Sequence, residues 1–482
     1  MSASVAESPT TTGERPRPTV AILTLASCGL LVSLIQTMVV PLLPQFPRLM
    51  SVSPSTAAWL VTATLVAGAV SAPVLGRLGD MYGKRRMLVV ALTLIVLGSA
   101  LGAVAPNIVV LLVARALQGT AFGVIALGMS LMRDILPPEK VGSGVGLMSS
   151  SLGVGGAIGL PLTGLVAQFA SWRWLFAGAA VIGVLQIVLV QKLTAESRVR
   201  TGGRFDVVGT VGLGVALVCL LLAISKGSEW GWTSPVSLGL LAAAAVVLPL
   251  WGRYELRRPG PLVDLRVSAR PAVLWTNVAT LMIGFSMFAT FMLATQVLQA
   301  PVSTGYGFGL SLITAGLVLL PLGGAMVLFS SASAWVSRVR GPRITLVIGL
   351  ALMVLGNGGF ALLPTSIAAL IGVATVGSVG ATLAYSALPL LVMRAVPETE
   401  TAAANSLNTL MRQLGTSTCT AVVAAVGSAF VMTVDGETHP TAAAFSIVFL
   451  VAAAAALVAM VVAMVTPAPA VVGDPRVRAA TA

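Results

Sequence analysis

Fourteen separate stretches of this chain are apolar over about 20 residues, the length at which a helix rising about 1.5 Å per residue crosses the hydrocarbon core of a bilayer. With approximate boundaries they are 19–44, 56–76, 86–105, 108–131, 141–168, 173–191, 207–225, 235–251, 272–299, 309–335, 344–363, 366–392, 402–432 and 442–465. In hydrocarbon backbone N–H and C=O groups need protein partners, which a helix of this length supplies within its own segment, so the expected fold class is all-α integral membrane protein. Composition excludes the soluble alternatives. Of 482 residues, 57% are hydrophobic and 9% charged, against about 25% charged in soluble domains. An even number of crossings returns both ends to one side.

A formal charge of +13 would suggest nucleic acid in a soluble protein. Here the bases stand in short loops between apolar segments, a pattern that orients a chain in its membrane, so no nucleic-acid partner is expected. Placing the N-terminus in the cytoplasm puts Arg77, Lys84, Arg85, Arg86, Arg133, Lys140, Arg257, Arg258, Arg340 and Arg343 inside, and leaves only Arg48, Arg173 and Lys226 outside. Both termini are then cytoplasmic. A polar tail over 1–18 is followed by no small-residue cleavage site, and a second tail covers 466–482. Cys28, Cys219 and Cys419 lie in apolar runs and imply no disulfide framework. Arginine greatly outnumbers lysine, and Ala, Gly and Val dominate the spans, so the expected home is a bacterial cytoplasmic membrane.

Between the second and third stretches lies a charged, glycine-punctuated hinge, Gly76-Arg77-Leu78-Gly79-Asp80-Met81-Tyr82-Gly83-Lys84-Arg85-Arg86. It resembles the signature loop of major facilitator superfamily transporters, which joins the second and third spans on the cytoplasmic side. Trp172-Arg173-Trp174, Trp230-Gly231-Trp232, Pro261-Leu262-Val263-Asp264-Leu265-Arg266, and Asn408 with Arg412-Gln413 are similar to that superfamily's fourteen-span drug:proton antiporter branch. The resemblance implies two pseudo-symmetric six-helix bundles with an inserted helix pair. The first bundle falls over 19–192, a linker with the inserted pair over 193–270, and the second bundle over 271–465. Ser151-Leu152-Gly153 in span five and Gln413-Leu414-Gly415 in span thirteen form a faint repeat consistent with this. One cavity per chain makes a monomer the default.

The same resemblance implies site residues. Asp80, Lys84 and Arg85 with Asp134, and Gly76 and Gly83 as turning points, are expected to form a charge latch that holds the first bundle outward-open. The competing reading is that these bases only satisfy the orientation rule. Arg115, in a stretch resembling the family's second motif, costs about 2.5 to 3.5 kcal/mol at a helix centre and must face a wet cavity or a partner. Two readings stand for it: a cavity residue modulating proton or substrate binding, which is the expectation, or a structural donor to neighbouring carbonyls. Arg412 raises the same question in the second bundle. With Gln118, Asn408 and Gln36 these residues make the expected substrate or proton cavity. Gly155, Gly159, Pro161 and Gly164 in span five resemble an exporter motif, with Leu160 standing between glycine and proline where the family has them adjacent.

Among fifteen acids, only Asp80 and Asp134 touch a membrane edge, while Asp206, Glu229, Glu255 and the others fall in predicted loops or tails. Ile35 stands where the branch usually has a span-one aspartate. A proton carrier needs a titratable group, which arginine is not, and His439 is expected in an external loop. No metal-ligand cluster and no nucleophile with a base is visible, so neither enzyme, metal nor cofactor is expected. The expected function is secondary active export of small amphiphiles, drugs or antibiotics, by alternating access and driven by protons. Two cavity arginines without acids favour neutral or anionic substrates. The alternative is an uncoupled facilitator or exchanger of the same fold.

Overall fold

The computed structural model describes residues 18–43, 45–202, 204–434 and 437–465, so the expected tails, Pro18 apart, lie outside the described residues. Its long helices are α1 (Pro18–Thr37), α2 (Pro54–Tyr82), α3 (Lys84–Ala103), α4 (Ile108–Gln118 and Ala121–Ile135), α5 (Pro138–Phe169), α6 (Arg173–Leu193) and α7 (Val207–Trp230). They continue as α8 (Pro235–Arg257), α9 (Pro271–Gln299), α10 (Leu312–Val339), α11 (Pro342–Ala361), α12 (Ile367–Ala395), α13 (Thr401–Ala429) and α14 (Ala442–Val465). Thirteen are long and apolar enough to cross a membrane. The remaining one, α13, is just as long at 29 residues but carries Asn405, Asn408, Arg412, Gln413 and many Ser and Thr.

Side-chain caps set many of the helix starts. Ser53, Asn107, Ser234, Ser311 and Ser366 each accept an N–H from the first turn of α2, α4, α8, α10 and α12. Proline opens α2, α5, α8, α9 and α11, where its missing N–H costs nothing. Some boundaries differ from expectation. Helix α13 stops at Ala429, and the strands Val431–Val434 and Glu437–Pro440 form an antiparallel hairpin in place of the last turn, with His439 on the second strand. Tyr306 closes onto this hairpin, its hydroxyl donating to the Pro440 carbonyl at 2.7 Å. Helices α7 and α8 also run further than their apolar cores, so Lys226, Glu229 and Glu255 are helical, not loop, residues.

Helix α5 packs along α1 and also along α10, while α13 packs along α9 and also along α2. The α5/α10 seam is lined by small residues: a Cβ on Gly153 would strike Met326, one on Gly164 would meet Ile313 at 2.8 Å, and Gly316 faces Pro161 in the same way. Helix α7 lies over the α2/α13 seam, where Leu213, Leu217 and Leu221 share a buried cluster with Ala69 of α2 and Leu410 of α13. Helix α8 packs on α7 and presents Val236, Leu238, Val246 and Leu250 outward, as a lipid-facing helix does.

Candidate transport site

The face carrying the Gly76–Arg86 loop, here called the basic face, holds a buried charge cluster. Asp80 is 1% and Lys84 0% exposed. The Lys84 ammonium lies 2.6 Å from Asp134 Oδ2 and 3.6 Å from Asp80 Oδ1. Asp80 then reaches across the molecule. Its Oδ1 accepts the Ala402 N–H at 3.1 Å and its Oδ2 the Ala403 N–H at 2.8 Å. These are first-turn donors of α13, which no preceding side chain caps, so an aspartate of α2 caps a helix of the other half. An anion in this position, partly buried, contributes up to about 2 kcal/mol from the helix dipole. Close approach makes this possible, since a Cβ on Gly76 would lie 2.8 Å from the Ala402 carbonyl.

Two further bonds tie the halves here. Arg133 donates to Thr401 Oγ1 at 3.1 Å, and Asn405 to Ser130 Oγ at 3.0 Å. Gly83, at φ +116°, turns the chain between α2 and α3. The N–H groups of Arg85 and Arg86 thereby point at Glu196, which accepts them at 2.9 and 3.1 Å. The Arg85 guanidinium lies away from the acids, donating to the carbonyls of Gln191 and Thr194 at the end of α6. Ser197 donates to Asp134 at 2.5 Å, and Thr201 N–H to the Asp80 carbonyl at 2.8 Å, so the segment after α6 wraps the cluster.

Beside the cluster a cleft of about 150 Å³ opens between Arg77, Pro261, Val263, Asp264, Glu400 and Leu407. Burial, with Asp264 nearby, pushes the Glu400 carboxyl up, and Arg77 and Arg270 pull it back down.

The expected cavity residues separate into two environments. Arg115 is 1% and Gln118 0% exposed, which differs from the expectation that they line a wet cavity. The Arg115 Nε donates to the Leu60 carbonyl at 3.1 Å, and Nη1 to the Ile35 carbonyl at 3.0 Å and Gln118 Oε1 at 2.9 Å. Gln118 passes its own N–H to Ser99 Oγ at 2.8 Å. The physical reason is supply: helical carbonyls of α1 and α2 keep a free lone pair, and the guanidinium fork reaches both. Ile35, standing where the branch usually has an acid, is buried and contributes its carbonyl to this arginine.

Arg412 is half-buried, and its guanidinium lies 5.4 Å over the Tyr385 ring. Among the described residues no hydrogen bond holds that guanidinium. Elsewhere on α13, Gln413 Nε2 and Ser417 Oγ are buried without hydrogen-bond partners among the described residues. Asn408, 7% exposed, donates to Asn277 Oδ1 at 3.1 Å and Thr280 Oγ1 at 2.6 Å. Gln36 is half-buried on α1. Gly155 and Gly159 of α5 lie against Ser33 and Thr37 of α1, whereas Gly164 and Pro161 lie against α10, so the helix-five residues sit between two neighbours.

Sequence reasoning missed the partners of the cluster: Glu196, Ser197, Arg133 and the N–H groups of Ala402 and Ala403. The one available signal is the uncapped start Glu400-Thr401-Ala402-Ala403, a helix whose first N–H groups need an anion from elsewhere. The carboxylates Asp206 and Glu255, read as loop residues, are both 2% exposed. Among the described residues, no three potential metal ligands gather.

The matched region covers 62% of the tetracenomycin C resistance and export protein of Streptomyces glaucescens, which is 30% identical over 345 residues, or 70% of this chain. It covers 61% of an uncharacterized transporter of Bacillus subtilis, 26% identical over 68% of this chain. The multidrug resistance protein Stp of Mycobacterium tuberculosis is 27% identical over 80% of this chain and 72% of its own length. Among solved structures, the human organic anion transporter MFSD10 (TETRAN) aligns with TM-score 0.66 and 16% identity over 93% of this chain and all of its own. The proton:xylose symporter XylE aligns with TM-score 0.64 and 13% identity over 93% of this chain and 96% of its own. These two likenesses describe the fold alone. The Major Facilitator Superfamily model matches residues 25–420, most of the chain. With its bilayer-length helices and its α2/α13 and α5/α10 seams, this chain therefore belongs to the major facilitator superfamily as a multi-pass membrane protein.

Proposed function

We propose that the protein is a proton-driven exporter of small amphiphilic compounds, drugs or antibiotics, working by alternating access from a cytoplasmic basic face, as a monomer. The observation that carries this is the Asp80 carboxylate seated on the first turn of α13. It joins the two halves on one face by contacts that a rocking motion must break, as a two-state transporter requires. The relatives named for multidrug resistance and tetracenomycin export support efflux as the direction.

Substrate preference rests on Arg412 alone, because Arg115 is spent on carbonyls. A single guanidinium over the Tyr385 ring, with no ion pair among the described residues, favours neutral and anionic compounds over cations. The described acids within helices, Asp80, Asp134, Glu139, Glu229 and Glu255, all stand at helix ends. Expression in an efflux-deficient bacterium, with export of cationic, neutral and anionic compounds measured before and after collapse of the proton gradient, tests both parts. Uncoupler-sensitive export of neutral and anionic compounds is the expected outcome, and a cationic dye as best substrate would sink the preference.

Ile35, in the span-one place of the usual acid, supports a second reading, an uncoupled facilitator or exchanger. Equal initial rates in liposomes with and without a pH gradient would select it.

A further inference from the structure

The inserted helix pair holds two carboxylates whose bonding is incomplete. Asp206 caps α7 through Oδ1, which accepts the Gly209 N–H at 2.9 Å and the Tyr254 hydroxyl at 3.0 Å. Glu255, at the basic end of α8, accepts the Leu262 N–H on Oε2 at 3.1 Å. The other oxygen of each, Asp206 Oδ2 and Glu255 Oε1, is buried with no hydrogen-bond donor among the described residues. Both are aimed at one small space: a Cβ built on Gly209 would lie 2.6 Å from each of them. Two cations face the pair. The Arg258 Nε, on a side chain 47% exposed, is 3.9 Å from Asp206 Oδ2, too long for a hydrogen bond. Arg77 of α2 approaches from the cleft, where Gly260 packs against its Nη2.

The Trp251 indole N–H, which also faces Glu255, is donated to the Gly209 carbonyl at 2.8 Å. Two desolvated anionic oxygens that share a space without a hydrogen bond are costly, because burial and like-charge repulsion act in the same direction. One proton relieves both, turning one oxygen into a donor and the other into the acceptor of a short charge-assisted bond. We propose that Asp206 and Glu255 form a proton-binding carboxyl pair, holding one proton between Asp206 Oδ2 and Glu255 Oε1 and exchanging it with water at the basic face. Its use in transport rests on the proton-driven reading above, but its existence does not.

The pair is wired to the seam between the halves. Glu255 holds Leu262 by its N–H, and Leu262 and Val263 are buried against the α2, α7 and α13 residues Ala69, Leu213 and Leu410. Loss of the proton sets two anions against each other where the 260–264 segment is anchored. This gives the inserted helices a task beyond lengthening the linker.

Infrared difference spectroscopy of the full chain in lipid nanodiscs, stepped through pH and repeated in D₂O, tests the pair without transport. The expected result is a protonated-carboxyl C=O band that shifts in D₂O, is lost in both Glu255→Gln and Asp206→Asn, and persists in the exposed control Glu139→Gln. No such band in the native chain, or a band that survives either substitution, overturns the proposal. If an amide variant fails to fold, Glu255→Asp, which keeps the acid but withdraws it by one methylene, must move the midpoint of the band, and an unmoved midpoint overturns the proposal equally. The band together with uncoupler-insensitive export keeps the pair and removes the proton-driven reading. Uncoupler-sensitive export without the band removes the pair alone.

Discussion

Arg115 in α4 and Arg412 in α13 are the same residue in the same kind of helix, and the structure treats them in opposite ways. Arg115 is sealed, with donors on the Leu60 and Ile35 carbonyls and on Gln118. Arg412 is half-buried, stacked on Tyr385, and unheld by hydrogen bonds among the described residues. An arginine within a membrane helix costs about 2.5 to 3.5 kcal/mol on the insertion scale wherever it stands. In α4 that cost is offset by bonds that knit α1, α2 and α4 together. In α13 no hydrogen bond among the described residues takes up the donors, as the proposed substrate site requires. The difference teaches that a charge inside a membrane is no evidence of function until its donors are counted.

The largest effect that can break this comparison is on folding. Arg115→Ala removes three hydrogen bonds and leaves a void in close-packed surroundings, for a loss of about 3–5 kcal/mol. Thermal unfolding in detergent should show a strongly lowered midpoint or no monodisperse protein. Arg115→Lys should not rescue it, because an ammonium is not a planar fork and cannot hold both carbonyls in one geometry. An Arg115→Ala variant that unfolds like the native chain yet cannot export would move Arg115 into the site beside Arg412.

Next in size is Asp80→Asn, which acts on the basic end of the helix that bears Arg412. The shape survives, but the anion at the first turn of α13 is gone, at about 1–3 kcal/mol. A two-state latch weakened by that much shifts its population by about fivefold to about 150-fold. A cysteine introduced at Ala404, on the cleft wall, should then react faster with a membrane-impermeant thiol reagent from the basic face. Unchanged reactivity would mean that Arg133 and Asn405 hold the halves together without Asp80.

Much of this was legible in the sequence, for physical reasons that also set the limit. Apolar runs of bilayer length placed the helices, because hydrocarbon admits little else, and only α13 escapes the hydropathy criterion, through Asn405, Asn408, Arg412 and Gln413. The resemblance of the Gly76–Arg86 loop pointed to Asp80, Lys84 and Asp134, which the structure gathers. What the sequence could not display was the far partner. The acceptor for Arg115 is backbone at Leu60 and Ile35, and the donors for Asp80 are backbone at Ala402 and Ala403, and backbone atoms look alike in every residue. The ends of α7 and α8 were equally hidden. Helices continue past their apolar cores into charged turns, so Lys226 and Glu255 were read as loop residues although each is 2% exposed.

The smaller effects sharpen the comparison from the α13 side. Arg412→Gln breaks no hydrogen bond seen among the described residues and forfeits only the contact with the Tyr385 ring, so stability should fall by about 1 kcal/mol or less. Export should suffer more than folding. Anionic substrates lose their counter-charge and should be exported about tenfold or more slowly, a change of about 1.4 kcal/mol, while neutral substrates fall less. Tyr385→Phe is the smallest change, since it keeps the ring face on which the guanidinium rests, and export should stay within about twofold of native. The order of these two variants carries the argument. If Tyr385→Phe were as damaging as Arg412→Gln, the hydroxyl and not the cation would be what the substrate meets, and the preference for anions would lose its basis although Arg412 kept its place.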